Sequence, residues 1–412
     1  MKAKLALFIS ICRQNMYYIL CSVFSAILLS IAIYFANNSP IFLGETTWQF
    51  TIIQVLCDKM GISNEVSYGD AVFYNVGYDK ELIPAINEND TLGVRVITDR
   101  NKLLRFLNIL KDTDYKYIIV DLTFEKNDVG IDDDSLFNLI KDMDNIVVAE
   151  HVKIPFARQE LIEKGKTGLV TYYSSVFNSN FANYIYSIKD RRSIPLHVYE
   201  QINHIKLNRY GFPPFPIYTL GGKLCQNGIF LKLDYSLGNS LYSNNSINNI
   251  TGTDYINLGA FLDNPLNTEE LLHNLIKIST KNKYVVIGDF INDMKDTYIG
   301  EKPGPLVIMR ALRSLEEGLN LVSPFHAIFW FFIFAIISFF ILIDKPITGC
   351  FLEIIPYKFV RFLLSLLTFT VVLLLCSVVD YVYFDRVDSL AVPVIYFSII
   401  KIIVHFKNKK EL

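Results

Sequence analysis

Residues 101–149, NKLLRFLNILKDTDYKYIIVDLTFEKNDVGIDDDSLFNLIKDMDNIVVA, decide the fold of the hydrophilic part of this chain. Leu103, Leu104, Leu107 and Leu110 recur at helical spacing and lay one apolar stripe along a helix over Asn101 to Leu110. Tyr117 to Val120 is a short continuous apolar run that ends at Asp121. Such a run suits a strand covered on both faces. Asp132 to Met143 returns to helical spacing, with Leu136, Leu139 and Ile140 on one side, and Ile146 to Ala149 is the next apolar run. Alternation of strand and helix at this spacing calls for parallel pairing through right-handed crossovers.

The pattern extends in both directions. Ala71 to Val76 and Leu92 to Ile97 read as strands upstream. Downstream, Tyr284 to Ile287 followed by Gly288-Asp289 adds another buried strand, and Pro303 to Leu315 supplies a helix. Between them the chain is less regular. The proline-rich stretch from Gly211 to Pro216 and the Asn-, Ser- and Gly-rich stretch from Ser236 to Thr253 read as surface loops. The latter holds two glycosylation acceptor patterns, at Asn244 and Asn249, which matter only in a eukaryotic secretory route. The expected fold here is α/β, a mostly parallel sheet with flanking helices.

Composition adds a membrane. Hydrophobic residues make up 51% of the 412, and mean hydropathy is +0.31, too apolar for an ordinary soluble enzyme. The excess sits in four runs, at residues 16–36, 325–343, 359–379 and 389–405. About 20 apolar residues at 1.5 Å each cross a hydrocarbon core of about 30 Å. The fourth run is the weakest, since it contains Pro393 and carries Lys401, which is placed to snorkel from the end of its span. The first run is longer than a usual signal-peptide core and ends in Tyr34-Phe35-Ala36 without a small-x-small cleavage pattern, so it reads as an uncleaved anchor.

Charge orients these spans. Lys2, Lys4 and Arg13 precede the first, Lys345, Lys358 and Arg361 frame the loop between the second and third, and Lys407, Lys409 and Lys410 follow the fourth. The loop between the third and fourth instead carries Asp380, Asp385 and Asp388 against Arg386. The positive-inside rule then gives a cytoplasmic N-terminus at 1–15, an extracytoplasmic domain at 37–324 and a cytoplasmic tail at 406–412, in a plasma (inner) membrane. A net charge of −2 argues against a nucleic-acid partner. Of six cysteines only Cys57 and Cys225 fall in the outer domain, equally compatible with a disulfide or two buried thiols. No His/Cys cluster has zinc spacing, so neither a metal nor a cofactor is expected.

The candidate ligand-binding residues are mostly acidic. In an open parallel sheet, ligands bind beyond the carboxyl ends of the strands. Asp121 ends one strand and Asp289 follows another, so Asp121, Asp289, Asp293, Asp296 and Thr297 are candidates to converge on a polar ligand or a hard cation. The competing reading is that these carboxylates cap turns and helix starts, as Asp routinely does. Asp132-Asp133-Asp134 reads as a helix start stabilised by the macrodipole rather than as a metal cluster. Arg191 and Arg192, among Tyr184, Tyr186 and Tyr199, are candidates to grip a carboxylate or phosphate, against a plain solvated loop. His197 and His204 have no third ligand nearby in sequence and read as ordinary histidines. There is no GxSxG, HExxH, GxxxxGK[ST] or kinase loop set, and no enzyme activity is expected.

Two blocks of the chain resemble the second class of CHASE domains, the extracellular sensing modules associated with cyclases and histidine kinases. One is Tyr117-Ile-Ile-Val-Asp121-Leu-Thr-Phe124, with Asp133-Asp134-Ser-Leu136 and Asn145-Ile-Val-Val-Ala149. The other is Val285-Val-Ile-Gly288, Asp293-Met-Lys-Asp-Thr297-Tyr-Ile-Gly300, Pro303-Gly304 and Ala311-Leu312 through Gly318. The order of the blocks, and one helix before the domain with three after it, agree with that family. The chain departs from the pattern at Tyr298, usually Pro, at Lys295, often His, and at Ile308-Met309-Arg310, usually His-Ala-Asn. The resemblance implies a membrane-anchored sensor of an unknown small-molecule or envelope ligand. Members usually continue into an output domain, whereas this chain ends at Leu412, so a separate output partner is expected. Sensors of this kind often act as homodimers, and no heptad seam specifies one here. The other expectation is a structural or scaffold subunit of an envelope complex.

Overall fold

The computed structural model describes residues 2–39, 46–60, 68–86, 92–126, 133–174, 180–188, 190–212, 216–231, 255–343, 358–384 and 388–410. Asp132, residues 213–215 of the proline-rich stretch, the stretch from Ser236 to Thr253, Lys345, Asp385 and Arg386 lie outside these residues. The chain forms two compact units. One comprises Gly61–Leu207 and Gly228–Leu319, the other Met1–Met60, Asn208–Asn227 and Asn320–Leu412.

The first unit is α/β. Its main sheet has six strands, β1 (Ala71–Asn75), β2 (Tyr117–Asp121), β3 (Ile146–Glu150), β4 (Thr167–Leu169), β5 (Tyr255–Asn257) and β6 (Tyr284–Gly288). They lie in the order β5-β1-β6-β2-β3-β4, with every neighbouring pair parallel. The strands form because both of their faces are covered. Ile118, Val120, Val285 and Ile287 point into a core with Leu103, Phe106 and Leu107 from one helix and Leu136 and Ile140 from the next. Ile119 and Val286, on the opposite face, are equally buried. The helix Gly304–Glu316 packs against β6, and the helix Ile194–Asn203 against β3 and β4. Each such side chain contributes about 1.5–3 kcal/mol over its exposed state, far above any strand propensity.

Local chemistry sets the helix starts. Asp99 accepts a hydrogen bond from the Lys102 amide at the head of Arg100–Leu110, and Thr268 does the same for Leu271 at Glu269–Thr280. Asp133 and Asp134 occupy the first turn of Asp133–Asp142. Asp133 also forms a buried ion pair with Arg100 (3.2 Å), whose guanidinium lies 4.2 Å from the centre of the Phe124 ring.

One expected strand is paired elsewhere. Leu92–Thr98 is antiparallel to Lys80–Ile86 in a hairpin outside the main sheet. A central parallel strand needs apolar residues on both faces. This one is mostly uncovered, with Ile97 buried while Val94, Arg95 and Val96 are exposed. A second small sheet joins Ile229–Phe230, Phe181–Tyr184, Met294–Thr297 and Gly300–Pro303, with Tyr172–Ser174 on Phe181–Tyr184.

The second unit is built from the helices Lys2–Asn37, Pro324–Leu342, Lys358–Phe384 and Ala391–Lys410, with the shorter helix Thr47–Lys59. Two helical stretches, Met16–Asn37 and Pro324–Leu342, are long and apolar enough to cross a membrane. The other two long helices carry shorter apolar stretches, Leu367–Tyr383 and Ala391–Val404. Ala26, Leu29, Ile33, Phe334, Ile337, Leu373 and Phe397 meet in one apolar core. Leu20, Phe24, Ile27 and Ile31 lie exposed on the first helix, and Ile328, Phe332 and Ile336 on the second. Both sets recur every three or four residues, which makes a continuous apolar outer face.

Buried polar groups cross this unit. The Ser25 hydroxyl is 2.8 Å from that of Ser338 and 2.6 Å from that of Tyr396. Asp380 and Asp388, expected as outer-loop charges, are buried instead. Trp330 Nε1 donates to Asp380 Oδ2 (2.9 Å), and Asn37 Nδ2 donates to Asp388 Oδ1 (2.7 Å). The Lys401 side chain is buried, with its Nζ 6.0 Å from the centre of the Phe369 ring. That ring face offers the cation an attractive quadrupole inside the bundle. Cys57 and Cys225 are both buried as free thiols.

Candidate functional site

The register that pairs β6 with β2 places Gly288 beside Asp121 at the carboxyl edge of the sheet. A cavity of about 210 Å³ opens there. Asp121, Leu122 and Thr123 come from the end of β2, His151 from the end of β3, and Asp289 and Asp293 from the turn after β6. Tyr172, Tyr184 and Lys295 come from the small sheet, and Gly304, Val307 and Ile308 from the start of the helix Gly304–Glu316.

Two glycines open this space. A Cβ on Gly304 would stand 2.1 Å from Asp293 Oδ2 and 3.1 Å from Asp121 Oδ2. A Cβ on Gly288 would stand 2.4 Å from Pro305 Cγ. Only glycine lets the helix start come this close to both carboxylates.

The acidic groups differ in how they are satisfied. Asp289 is fully engaged: Oδ1 accepts from the amides of Ile291 (3.0 Å) and Asn292 (2.8 Å), and Oδ2 accepts from Lys80 Nζ (3.0 Å). Burial pushes its pKa up, but these donors outweigh burial and hold it below the usual value. Asp289 thus caps the turn after β6 while also lining the cavity. Asp293 Oδ1 accepts from Lys295 Nζ (2.5 Å), and its backbone carbonyl accepts from the Gly304 amide (2.7 Å).

Asp121 is the exception. Its Oδ2 atom is closed off from solvent and has no hydrogen-bond partner among the described residues. Burial, together with the charge of Asp293, raises its pKa to about 8, with Lys295 opposing. The carboxyl is therefore mostly protonated at neutral pH. Burial lowers the pKa of His151, and Lys295 lowers it further, which keeps the imidazole neutral. Burial of Lys295 favours its neutral form, but Asp293 and Asp121 outweigh that and raise its pKa. Tyr184 is raised well above the phenol range, chiefly by burial. Tyr172 stacks on Phe181 with ring centres 3.7 Å apart, which fixes its orientation against the cavity.

Of the residues singled out from the sequence, Asp121, Asp289 and Asp293 come together here. Asp296 and Thr297 do not line the cavity. Asp296 is exposed, and the Thr297 hydroxyl donates to the Gly300 carbonyl (2.5 Å) within its own hairpin. Arg191 is drawn to Glu150 at the end of β3, and Arg192 Nε donates to Glu200 Oε2 (3.2 Å). Neither guanidinium lines the cavity. His151, Tyr172, Tyr184 and Lys295 were not among the expected site residues. Only the position of His151, directly after a core strand, marked it by the rule that singled out Asp121. No family model, curated protein or solved structure matches this chain.

Proposed function

We propose that this chain is a membrane-anchored receptor that binds a small polar ligand in the cavity beyond β2 and signals through its membrane helices to a separate output partner. The observation that carries this reading is Asp121, which lines a cavity with further polar groups and whose Oδ2 is buried without a hydrogen-bond partner among the described residues. A buried polar group without a partner costs about 1–3 kcal/mol, and such a defect persists where a ligand supplies the missing partner. The helix Gly304–Glu316 lends Gly304, Val307 and Ile308 to the cavity, and the next helix in the chain is Pro324–Leu342. A ligand that favours one position of that wall biases the span after it, by no more than its difference in affinity for the two arrangements. The outward apolar faces of the long helices suit lipid, so in this reading all four cross the bilayer with the α/β unit outside the cell. The resemblance to CHASE-type sensors points the same way.

The test is compartmental. In a cysteine-free background, Lys164→Cys on the α/β unit should react with a membrane-impermeant maleimide in intact cells. Asn408→Cys, at the end of the fourth helix, should react only after lysis. Protection of position 164 in intact cells together with labelling of position 408 would reverse the topology and remove the receptor reading.

A second reading, a scaffold subunit of an envelope complex, draws on the hairpin Lys80–Ile86/Leu92–Thr98. Leu82, Val94 and Val96 share one of its faces and are 70%, 67% and 60% exposed, an apolar patch suited to a protein contact. Loss of a co-purifying protein on Val94→Asp/Val96→Asp, with the cavity variants silent, would favour it.

A further inference from the structure

The cavity sorts ligands by charge. Asp121 and Asp293 face it, and the single lysine among its lining residues, Lys295, is already held by Asp293. His151 is neutral there, so an incoming anion meets the Asp293 carboxylate, the Asp121 carboxyl and no uncommitted cation among the lining residues. A hard metal ion is also poorly served. Calcium takes roughly 6–8 oxygen ligands, and no group of three or more His, Cys, Asp or Glu side chains placed to hold a metal occurs among the described residues.

An organic cation fits the same inventory. One N–H of an ammonium would give Asp121 Oδ2 the donor it lacks. The aromatic side chains of Tyr172 and Tyr184 line the cavity and suit a positive charge, and Leu122, Val170, Val307 and Ile308 would cover a short carbon body. At about 210 Å³ the space is smaller than the pockets of roughly 300–1,000 Å³ that take drug-sized molecules. We infer that the cavity binds a small primary amine in its ammonium form, with Asp121 and Asp293 as anionic partners and Tyr172 and Tyr184 as walls. This rests on the cavity being the ligand site of the proposed receptor. Binding displaces the proton of Asp121 into solvent, since the carboxylate ionises once a cation stands beside it. His151, Tyr172, Tyr184, Asp289, Asp293 and Lys295 are the other titratable groups that line the cavity with it.

The experiment is calorimetric titration of the full-length protein in mild detergent at pH 7. The probes are ethanolamine, propylamine and putrescine, with ethylene glycol, propanol and acetate as uncharged and anionic controls. At least one amine should bind about 30-fold or more tighter than its uncharged counterpart, with a heat that varies with the buffer's ionisation enthalpy as protons are released. Asp121→Asn should weaken that amine by about 30-fold or more, while Lys295→Gln, which releases Asp293, should tighten it. A control compound binding as well as the amines would overturn the inference, and so would silence from all three amines. A thermal-shift screen separates that failure from failure of the receptor reading. A neutral or anionic compound that stabilises the wild type but not Asp121→Asn overturns the ammonium and keeps the cavity. Amine silence with no compound sensitive to Asp121→Asn overturns both.

Discussion

Nδ1 of His326 lies 2.8 Å from Oδ1 of Asp380, inside the helical unit. The other ring nitrogen, Nε2, lies 2.9 Å from Asp388 Oδ2. An imidazole that faces carboxylate oxygens on both sides donates to both only with a proton on each nitrogen. One cation thus ties Pro324–Leu342 to the end of Lys358–Phe384 and to the segment leading into Ala391–Lys410. Asn37, from the end of the first long helix, donates to the same Asp388.

Removing the cation strands two buried carboxylates. Breaking a buried pair from one side costs about 3–5 kcal/mol, so His326→Ala should lower the thermal unfolding midpoint of the detergent-solubilised protein well below that of the wild type. Asp380→Asn keeps the shape and leaves His326 with Asp388, so its loss should be smaller. Equal midpoints for His326→Ala and the wild type would show that the cluster does not hold the bundle together.

The pair Arg100 and Asp133 makes the same argument in the α/β unit. Both side chains are buried, and the guanidinium rests over Phe124. Asp133→Ala should cost about 3–5 kcal/mol in denaturant unfolding, by leaving a buried cation short of its anion. The double variant Arg100→Met/Asp133→Leu removes both charges at similar volume and should recover most of that loss. A double variant as unstable as Asp133→Ala would mean that charge pairing is not what the site supplies.

Much of the α/β fold was legible because β2, β3 and β6 are buried on both faces, and such strands read as unbroken apolar runs. The Leu92 run was legible as a strand but not by partner, since periodicity reports faces rather than neighbours. Asp121, Asp289 and Asp293 followed from the rule that ligands gather past strand ends. Tyr172, Tyr184 and Lys295 did not, because they reach the cavity from a small sheet whose strands are distant in sequence. The carboxylate that Arg191 meets belongs to Glu150, 41 residues away, a partner that local spacing does not report. The His326 cluster draws on three separate stretches of chain, and its only forewarning was an ionisable group inside an apolar span.

Gly304 tests how closely the cavity is built. A methyl group there would stand 2.1 Å from Asp293 Oδ2, closer than any tolerated contact. Gly304→Ala should push the helix start or the Asp293–Lys295 pair aside, at a cost of about 1–3 kcal/mol by overpacking. Ligand-induced thermal stabilisation should fall with it. Gly165→Ala makes a useful contrast: no atom lies near the added methyl, but its φ of +65° strains the backbone, so stability should fall without loss of ligand response. If both variants lost the response equally, the effect would be general destabilisation rather than closure of the cavity.

The carboxyl of Asp121 gives the α/β unit a pH signature whose sign follows from linkage. Its pKa is about 8 in the folded chain and near the ordinary aspartate value of about 3.9 when unfolded. Below about pH 4 both states hold the proton, and the group makes no difference to stability. From about pH 4 to about pH 8 the unfolded state gives up the proton while the folded state keeps it, so stability falls steadily as pH rises. Above about 8 both states are ionised and the loss levels off. Asp121→Asn removes the titration and leaves the shape. The variant should match the wild type near pH 4 and exceed it by a margin that grows to on the order of a few kcal/mol by pH 8. Measuring the difference between the two proteins cancels Asp289, whose lowered pKa acts in the opposite direction. A difference that stays flat from pH 4 to pH 8, or that shrinks, would show that Asp121 ionises normally in the folded chain, and the buried, unsatisfied carboxyl on which the ligand site depends would be gone.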